Sequence, residues 1–366
     1  MPGARAEILP FNVITGFLGA GKTTLLNALL KHPDMGEALV IVNEFGEVGL
    51  DHLLVEAAAD EVIELASGCL CCALRGDLVD TLVRVLQERD AGAGKPFARI
   101  VVETSGLADP APIVHSIMAH PWLMQRLSLD GMVTVVDALS GEETLKAHQE
   151  GVKQVALAER LVISKADMLA EDEREKRLDS LRQALRAINP GADILLGGDT
   201  CLAPRELFHA GLRDPLSGEV HLDGWLRVER LRTAGKGAHD HHHHGAQVES
   251  FALVHDAALS PAGLDIFIDL LRASFGAALL RVKGIVKLAD DPSRPVVVHG
   301  VQHVFHPPAR LDAWPDDERT TRLVFITRVP LREKIEALFA AISDPLTGAG
   351  AARADDTLSV LPGGDG

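Results

Sequence analysis

Eight consecutive residues, Gly16-Phe17-Leu18-Gly19-Ala20-Gly21-Lys22-Thr23, constrain this chain more than any other feature. They fit G-x-x-x-x-G-K-[ST], and they sit where that pattern has a mechanism. The apolar run 11–15 before them reads as a strand, and 23–31 after them as a helix with Leu25, Leu26, Leu29 and Leu30 on one face. A glycine-rich turn between strand and helix lets successive backbone N–H groups point inward, and the helix N-terminus adds about half a positive elementary charge. Lys22 then supplies a charge for terminal phosphates, and the Thr23 hydroxyl a ligand for Mg²⁺. Gly16, Gly19, Ala20, Gly21 and Thr24 complete the candidate cradle. The bland alternative is a glycine turn with a chance Lys-Thr, which the flanking strand and helix disfavour.

The next 170 or so positions alternate in the same way. Strands are expected at 38–43, 99–103, 132–137 and 161–164, with helices at 78–89 and 170–188. Such alternation predicts a mostly parallel sheet covered on both faces, an α/β P-loop domain over 6–210. The texture changes over 211–247, which is rich in Gly, His and charge and reads as a linker. After it, strands at 248–254, 278–287, 295–301 and 322–327 and helices at 261–274 and 331–342 predict a smaller α+β domain over 248–345. The apolar face of 331–342 either packs internally, the expected outcome, or meets a second copy, so a homo-oligomer stays open. The tail 346–366 is Gly/Ala/Asp-rich and is expected to be disordered.

Two later motifs refine the nucleotide. Glu103-Thr104-Ser105-Gly106 ends a strand where a magnesium-holding acid belongs, and the Gly106 amide is placed to sense a γ-phosphate. Ser164-Lys165-Ala166-Asp167 follows another strand and resembles the N-K-x-D guanine reader. Asp167 can accept from guanine N1 and N2, a donor pattern adenine lacks, and Lys165 can lie along the base. Read alone, either motif is an ordinary strand-to-loop turn; their order and spacing favour GTP and GDP.

Gly68-Cys69-Leu70-Cys71-Cys72 is the second unusual element. Three thiols this close are improbable as inert core cysteines, and the chain's four cysteines do not make a disulfide framework. In a reducing compartment thiolates favour borderline or soft ions such as Zn²⁺ or Cu⁺, and Co²⁺ accepts similar geometry. A fourth ligand is needed, and a carboxylate of Asn43-Glu44-Phe45-Gly46-Glu47, after the second strand, is in a position to reach the thiols. The internal run His239-Asp240-His241-His242-His243-His244 reads as a low-affinity metal-gathering segment rather than a precise site.

Taken together, GFLGAGKTTLLNALL, VNEFGEVGLD, GCLCC, ETSGLADP, VVDA and the late RVKGIV resemble the CobW family of P-loop metallochaperone GTPases, cousins of the hydrogenase- and urease-maturation GTPases. The resemblance spans about 8–345. It implies a GTPase with Lys22, Thr23 and Glu103 at its chemical centre and a metal site on Cys69, Cys71 and Cys72 with Glu47 as carboxylate ligand. His120 matches a position sometimes linked to metal. Two departures stand out: Ser164 replaces the usual Asn of the guanine motif, and Val42 replaces an acidic residue of some relatives. The implied activity is GTP-controlled zinc delivery to a client metalloprotein. Cobalt delivery for corrin synthesis and a nucleotide-switched metal buffer are the alternatives, and an ATP-dependent small-molecule kinase is a rival without a recognisable acceptor signature.

Composition excludes other classes. A net charge of −16 argues against nucleic acid or an anionic membrane as main partner, and aromatics at 4% with no tyrosine argue against base-stacking platforms. No apolar run approaches the roughly 20 residues needed to span a bilayer, and 1–10 lacks the plan of a secretory signal, so a cytoplasmic setting is expected.

Overall fold

The structure is a computed structural model describing residues 8–42, 62–64, 73–93, 96–197, 202–208 and 248–343. Seven parallel strands form the first sheet: β1 (Leu9–Gly16), β2 (Ala38–Val42), β3 (Val62–Glu64), β4 (Arg99–Glu103), β5 (Leu127–Asp137), β6 (Arg160–Ser164) and β7 (Asp193–Leu196), in the spatial order β3-β2-β4-β1-β5-β6-β7. β1, β2 and β4 are buried at almost every position, as expected for parallel strands covered by helices on both faces. The expected α/β P-loop architecture is therefore present, with strand ends within a few residues of the sequence reading. β3 and β7 were not anticipated; three and four residues are too short to show a period.

Helix α1 (Lys22–Leu30) covers one face of this sheet, where Leu26, Leu29 and Leu30 pack with Ile14, Val133 and Val135. The other face carries α2 (Ala73–Asp90), α3 (Ala111–Ala119), α4 (Pro121–Met124) and α6 (Gln149–Leu157), with Leu82, Leu86, Ile117 and Leu157 against Phe11, Val13 and Val102. Between them in chain order comes α5 (Gly141–Ala147), and α7 (Glu171–Ile188) buries Leu178, Leu181 and Leu185 beside Leu161 and Ile163.

The second sheet is antiparallel and consists of β8 (Glu249–His255), β9 (Leu279–Val286), β10 (Val296–Val301), β11 (Val304–Phe305), β12 (Ala309–Arg310) and β13 (Thr321–Thr327). Their spatial order is β11-β10-β9-β13-β8, with β12 paired to β10. Two further helices, Pro261–Leu270 and Arg332–Ser343, cover one face, burying Leu264, Phe267, Ile335 and Phe339. The second of these packs internally through Ile335 and Phe339, as expected. Leu280, Val301 and Ile326 of this sheet join the core of the first domain. At the same junction the buried Arg281 is ion-paired with Glu159 and donates to the Leu157 and Ala158 carbonyls at 3.2 and 2.7 Å. Among the described residues no helix is long and apolar enough to cross a membrane.

Candidate functional site

The site forms at the carboxyl edge of the parallel sheet, where β1, β4, β5 and β6 end together. Gly16 closes β1 with φ +146°, and a Cβ there would lie 2.3 Å from the Val135 carbonyl oxygen, so only glycine lets the chain turn out beside β5. Gly21, at φ +90°, caps α1 and aims its first N–H groups into the turn. Lys22 is buried, and its ammonium donates to the Phe17 carbonyl across the loop at 3.3 Å. Thr23 is partly buried and Thr24 exposed.

Register places Glu103 beside this turn: Ile14 of β1 pairs with Glu103, and so does Val42 of β2. The Thr23 hydroxyl donates to Glu103 Oε1 at 2.9 Å. Two hard oxygens that close suit Mg²⁺, whose adjacent octahedral ligands at 2.0–2.1 Å lie about 3 Å apart. The residues present thus fit that ion. The Thr104 hydroxyl donates to the Thr15 hydroxyl at 2.8 Å and its N–H to the Ile14 carbonyl at 2.9 Å, stitching the end of β4 to β1. A Cβ on Gly106 would lie 2.6 Å from the Leu18 nitrogen, so the loop after β4 presses backbone to backbone on the glycine-rich turn.

The base-side motif is divided in its contacts. The Ser164 hydroxyl lies 2.6 Å from the Ala20 carbonyl and 3.3 Å from that of Val136, so it faces the phosphate loop. Lys165, at φ +57°, is held by an ion pair of 2.6 Å to Asp137, whose other oxygen accepts from the Leu139 N–H at 2.7 Å. Asp167 sits exposed in the 3-10 turn Ala166–Met168.

Several residues here escaped the sequence reading. Asp137 lay within the VVDA run without an assigned role. Gln154, on α6 and 1% exposed, donates to the Gly106 and Ala108 carbonyls at 3.1 and 3.0 Å. Lys153 ion-pairs with Asp109 at 3.3 Å. Phe17 stacks on His148 with ring centroids 4.6 Å apart. Beneath the turn lies a small, partly open cleft lined by Phe17, Ala20, Val135, Thr144 and Gln154 among others. No local pattern marks Gln154 or His148; both face the loop only because α6 packs beneath it.

Glu47, Cys69, Cys71, Cys72, Cys201 and the histidine run lie outside the described residues. Among the described residues no cluster of three or more His, Cys, Asp or Glu is placed to hold a metal ion. The described neighbours show where the thiol segment attaches. Glu64, last residue of β3, pairs with Val42, which pairs with Glu103, so β2 and β3 both end level with Glu103. His120 Nδ1 accepts from the Leu123 N–H at 3.3 Å and caps α4. Val42 is buried at the end of β2.

Comparison with known proteins agrees with this geometry. Residues 10–196 match the family model described as CobW/HypB/UreG, nucleotide-binding domain, and 248–343 match the cobalamin synthesis protein cobW C-terminal domain. The chain is 31% identical over 333 residues to the zinc chaperone YjiA of Escherichia coli (strain K12), covering 90% of this chain and 97% of the relative. It is 30% identical to the zinc chaperone CobW of a Sinorhizobium species, covering 89% and 95%. A crystal structure of a Zn(II)-bound triple mutant of the YjiA GTPase superposes with a TM-score of 0.66 at 26% identity, covering 92% of this chain and 99% of the other.

Proposed function

This chain belongs to the CobW/HypB/UreG family, and on that premise we propose that it hydrolyses GTP and carries zinc to a client metalloprotein, with nucleotide state setting how tightly the metal is held. The observation that carries the reading is the Thr23–Glu103 contact of 2.9 Å at the mouth of a complete P-loop, in a chain that also bears C-x-C-C. Relatives named as zinc chaperones, matched over nearly their whole length, support the metal.

In this mechanism the triphosphate lies against the backbone N–H groups of 17–22, and Lys22 exchanges the Phe17 carbonyl for phosphate oxygen. Thr23 and Glu103 would hold Mg²⁺, and that ion would supply neutralisation of the charge that develops on the phosphate oxygens. The Gly106 N–H senses the γ-phosphate from the loop pressed on Leu18. Asp167 accepts from the guanine edge, Lys165 is steadied along the base by Asp137, and Ser164 steadies the phosphate loop rather than touching the base. Glu103 is committed to Thr23, so turnover rests on positioning and charge rather than on a dedicated base, and slow intrinsic hydrolysis is expected.

Zinc is the cargo in this reading. Cys69, Cys71 and Cys72 would bind it as thiolates with Glu47 as the carboxylate. The segment 43–72 starts at Val42, beside Glu103, and runs past β3 to α2, so a change at the γ-phosphate has a short covalent route to the ligands. The deciding experiment follows GTP hydrolysis and metal retention with Zn²⁺, with Co²⁺ and without metal, in the wild type and in Cys71→Ser. Turnover raised by zinc, and dependent on Cys71, is expected. Fast turnover indifferent to metal and to Cys71 removes the proposal.

A further inference from the structure

We infer that helix α6 is the lever by which the C-terminal sheet sets the conformation of the loop carrying Gly106, with Gln154 as the positioning residue and Arg281 as the anchor. The inference rests on the GTP-switch reading above for its consequence, though not for its geometry.

The loop from Glu103 to Ala111 is held from α6 by adjacent residues. The Gln154 amide donates to the Gly106 and Ala108 carbonyls, and Lys153 pairs with Asp109. Because both partners of the Gln154 amide are carbonyls, its orientation is fixed: nitrogen faces the loop. Gln154 Oε1 is buried and has no hydrogen-bond partner among the described residues. A side chain serving packing alone would be apolar here, since an unmet buried acceptor costs stability. Its role is therefore read from the two bonds it does make.

One helical turn further on, α6 ends. The last carbonyls of a helix have no intrahelical partner. In α6 they are met from outside: Asn189 donates to Val155, Ala156 and Ala158, and Arg281 of β9 donates to Leu157 and Ala158. Arg281 also pairs with Glu159, whose other oxygen accepts from the Met132 N–H of β5 at 2.6 Å. The C-terminal sheet thus supplies a charged cap to the same rigid helix that grips the Gly106 loop, with the two grips about 4.5 Å apart along the axis. Ser250 of β8 adds a bond to the Ile188 carbonyl at the end of α7. Arg281 opens the RVKGIV stretch, which the nucleotide chemistry leaves without a role.

The test uses full-length protein, with amide hydrogen exchange in the nucleotide-free state as first readout and the affinity ratio of a non-hydrolysable GTP analogue to GDP as second. Gln154→Met is expected to speed exchange over 105–110 by roughly 30-fold, as for two lost neutral hydrogen bonds. The paired variant Arg281→Met/Glu159→Gln, which leaves no unpaired buried charge, is expected to speed exchange in the same segment. Both should lower the preference for the GTP analogue while leaving GDP affinity unchanged. Arg281→Lys, which keeps the charge and loses the fork, is expected to act in the same direction and serves if the paired variant does not fold. Faster exchange at the end of α6 with 105–110 unmoved would overturn the lever. A wild type that binds no guanine nucleotide, with the exchange response intact, would instead sink the GTP reading and leave the lever standing.

Discussion

The Ser164 hydroxyl lies 2.6 Å from the Ala20 carbonyl, joining the end of β6 to the phosphate loop 144 positions earlier in the chain. Serine stands where the family's guanine motif usually has asparagine, and its contact is with the loop. On the proposed GTP reading, selectivity for guanine then falls to Asp167, and Ser164 acts on how well the loop is held.

Ser164→Ala should accordingly weaken GTP and GDP binding by the same factor, about fivefold for one hydrogen bond of about 1 kcal/mol, without changing the preference over ATP. Asp167→Ala should erase the preference for guanine over adenine. Competition between labelled GDP and unlabelled GTP or ATP measures both. A changed base preference in Ser164→Ala would return that residue to the base.

On the proposed reading, Thr23→Ala removes one oxygen of the pair that would hold Mg²⁺, and Glu103→Gln keeps an oxygen but removes the charge of the other. Hydrolysis in saturating Mg²⁺ should fall by about 10²-fold or more in either variant, the scale of losing a group that stabilises the transition state. GDP binding in chelator should change little. Single-turnover kinetics beside equilibrium titration separates the two effects.

Zinc affinity should differ between the GDP form and the form with a non-hydrolysable GTP analogue by roughly 5–150-fold, the usual span of coupled sites. Cys71→Ser should abolish the difference. A chelator-competition titration reads it directly, and equal affinities in the two states would end the idea of nucleotide-controlled release.

The interdomain ion pair makes a stability prediction. Both side chains of Arg281–Glu159 are about 3–4% exposed, so Arg281→Met alone strands a buried carboxylate and should cost about 3–5 kcal/mol. Adding Glu159→Gln should recover most of that loss, because glutamine still accepts from the Met132 N–H. Urea denaturation of the single and paired variants supplies the comparison.

A pH effect comes from the C-terminal sheet. His299 and His306 stack with centroids 4.8 Å apart. Desolvation, then His306 and the cations Arg281 and Lys283, holds His299 well below the ordinary histidine range, and burial lowers His306 to about 4. Both are neutral when folded, whereas the unfolded chain takes up protons near 6.5. Stability from this pair is thus complete above about pH 6.5 and is lost as pH falls toward 4. His306→Phe, which keeps the stacked ring, should flatten the decline in melting temperature between pH 6.5 and 5. An unchanged slope would place the titration elsewhere.

Much of this protein was legible in the linear chain. The P-loop, the strand ending in Glu103 and the apolar faces around Leu26, Leu82 and Phe267 are local patterns, because a period of 2 or 3.6 residues and a glycine at a fixed offset are written in consecutive residues. That suffices to determine a mostly parallel sheet with a phosphate cradle at one edge, a smaller α+β partner domain, and the family resemblance. Tertiary structure decided what depends on residues far apart in sequence. It brought Thr23 to Glu103 across 80 positions and Ser164 to Ala20 across 144, and it set Gln154 under the Gly106 loop. It also placed Arg281 of one sheet at the end of a helix belonging to the other. These side chains belong to no periodic pattern. Their partners are fixed by how helices and strands pack, and packing distances appear only when the chain is folded.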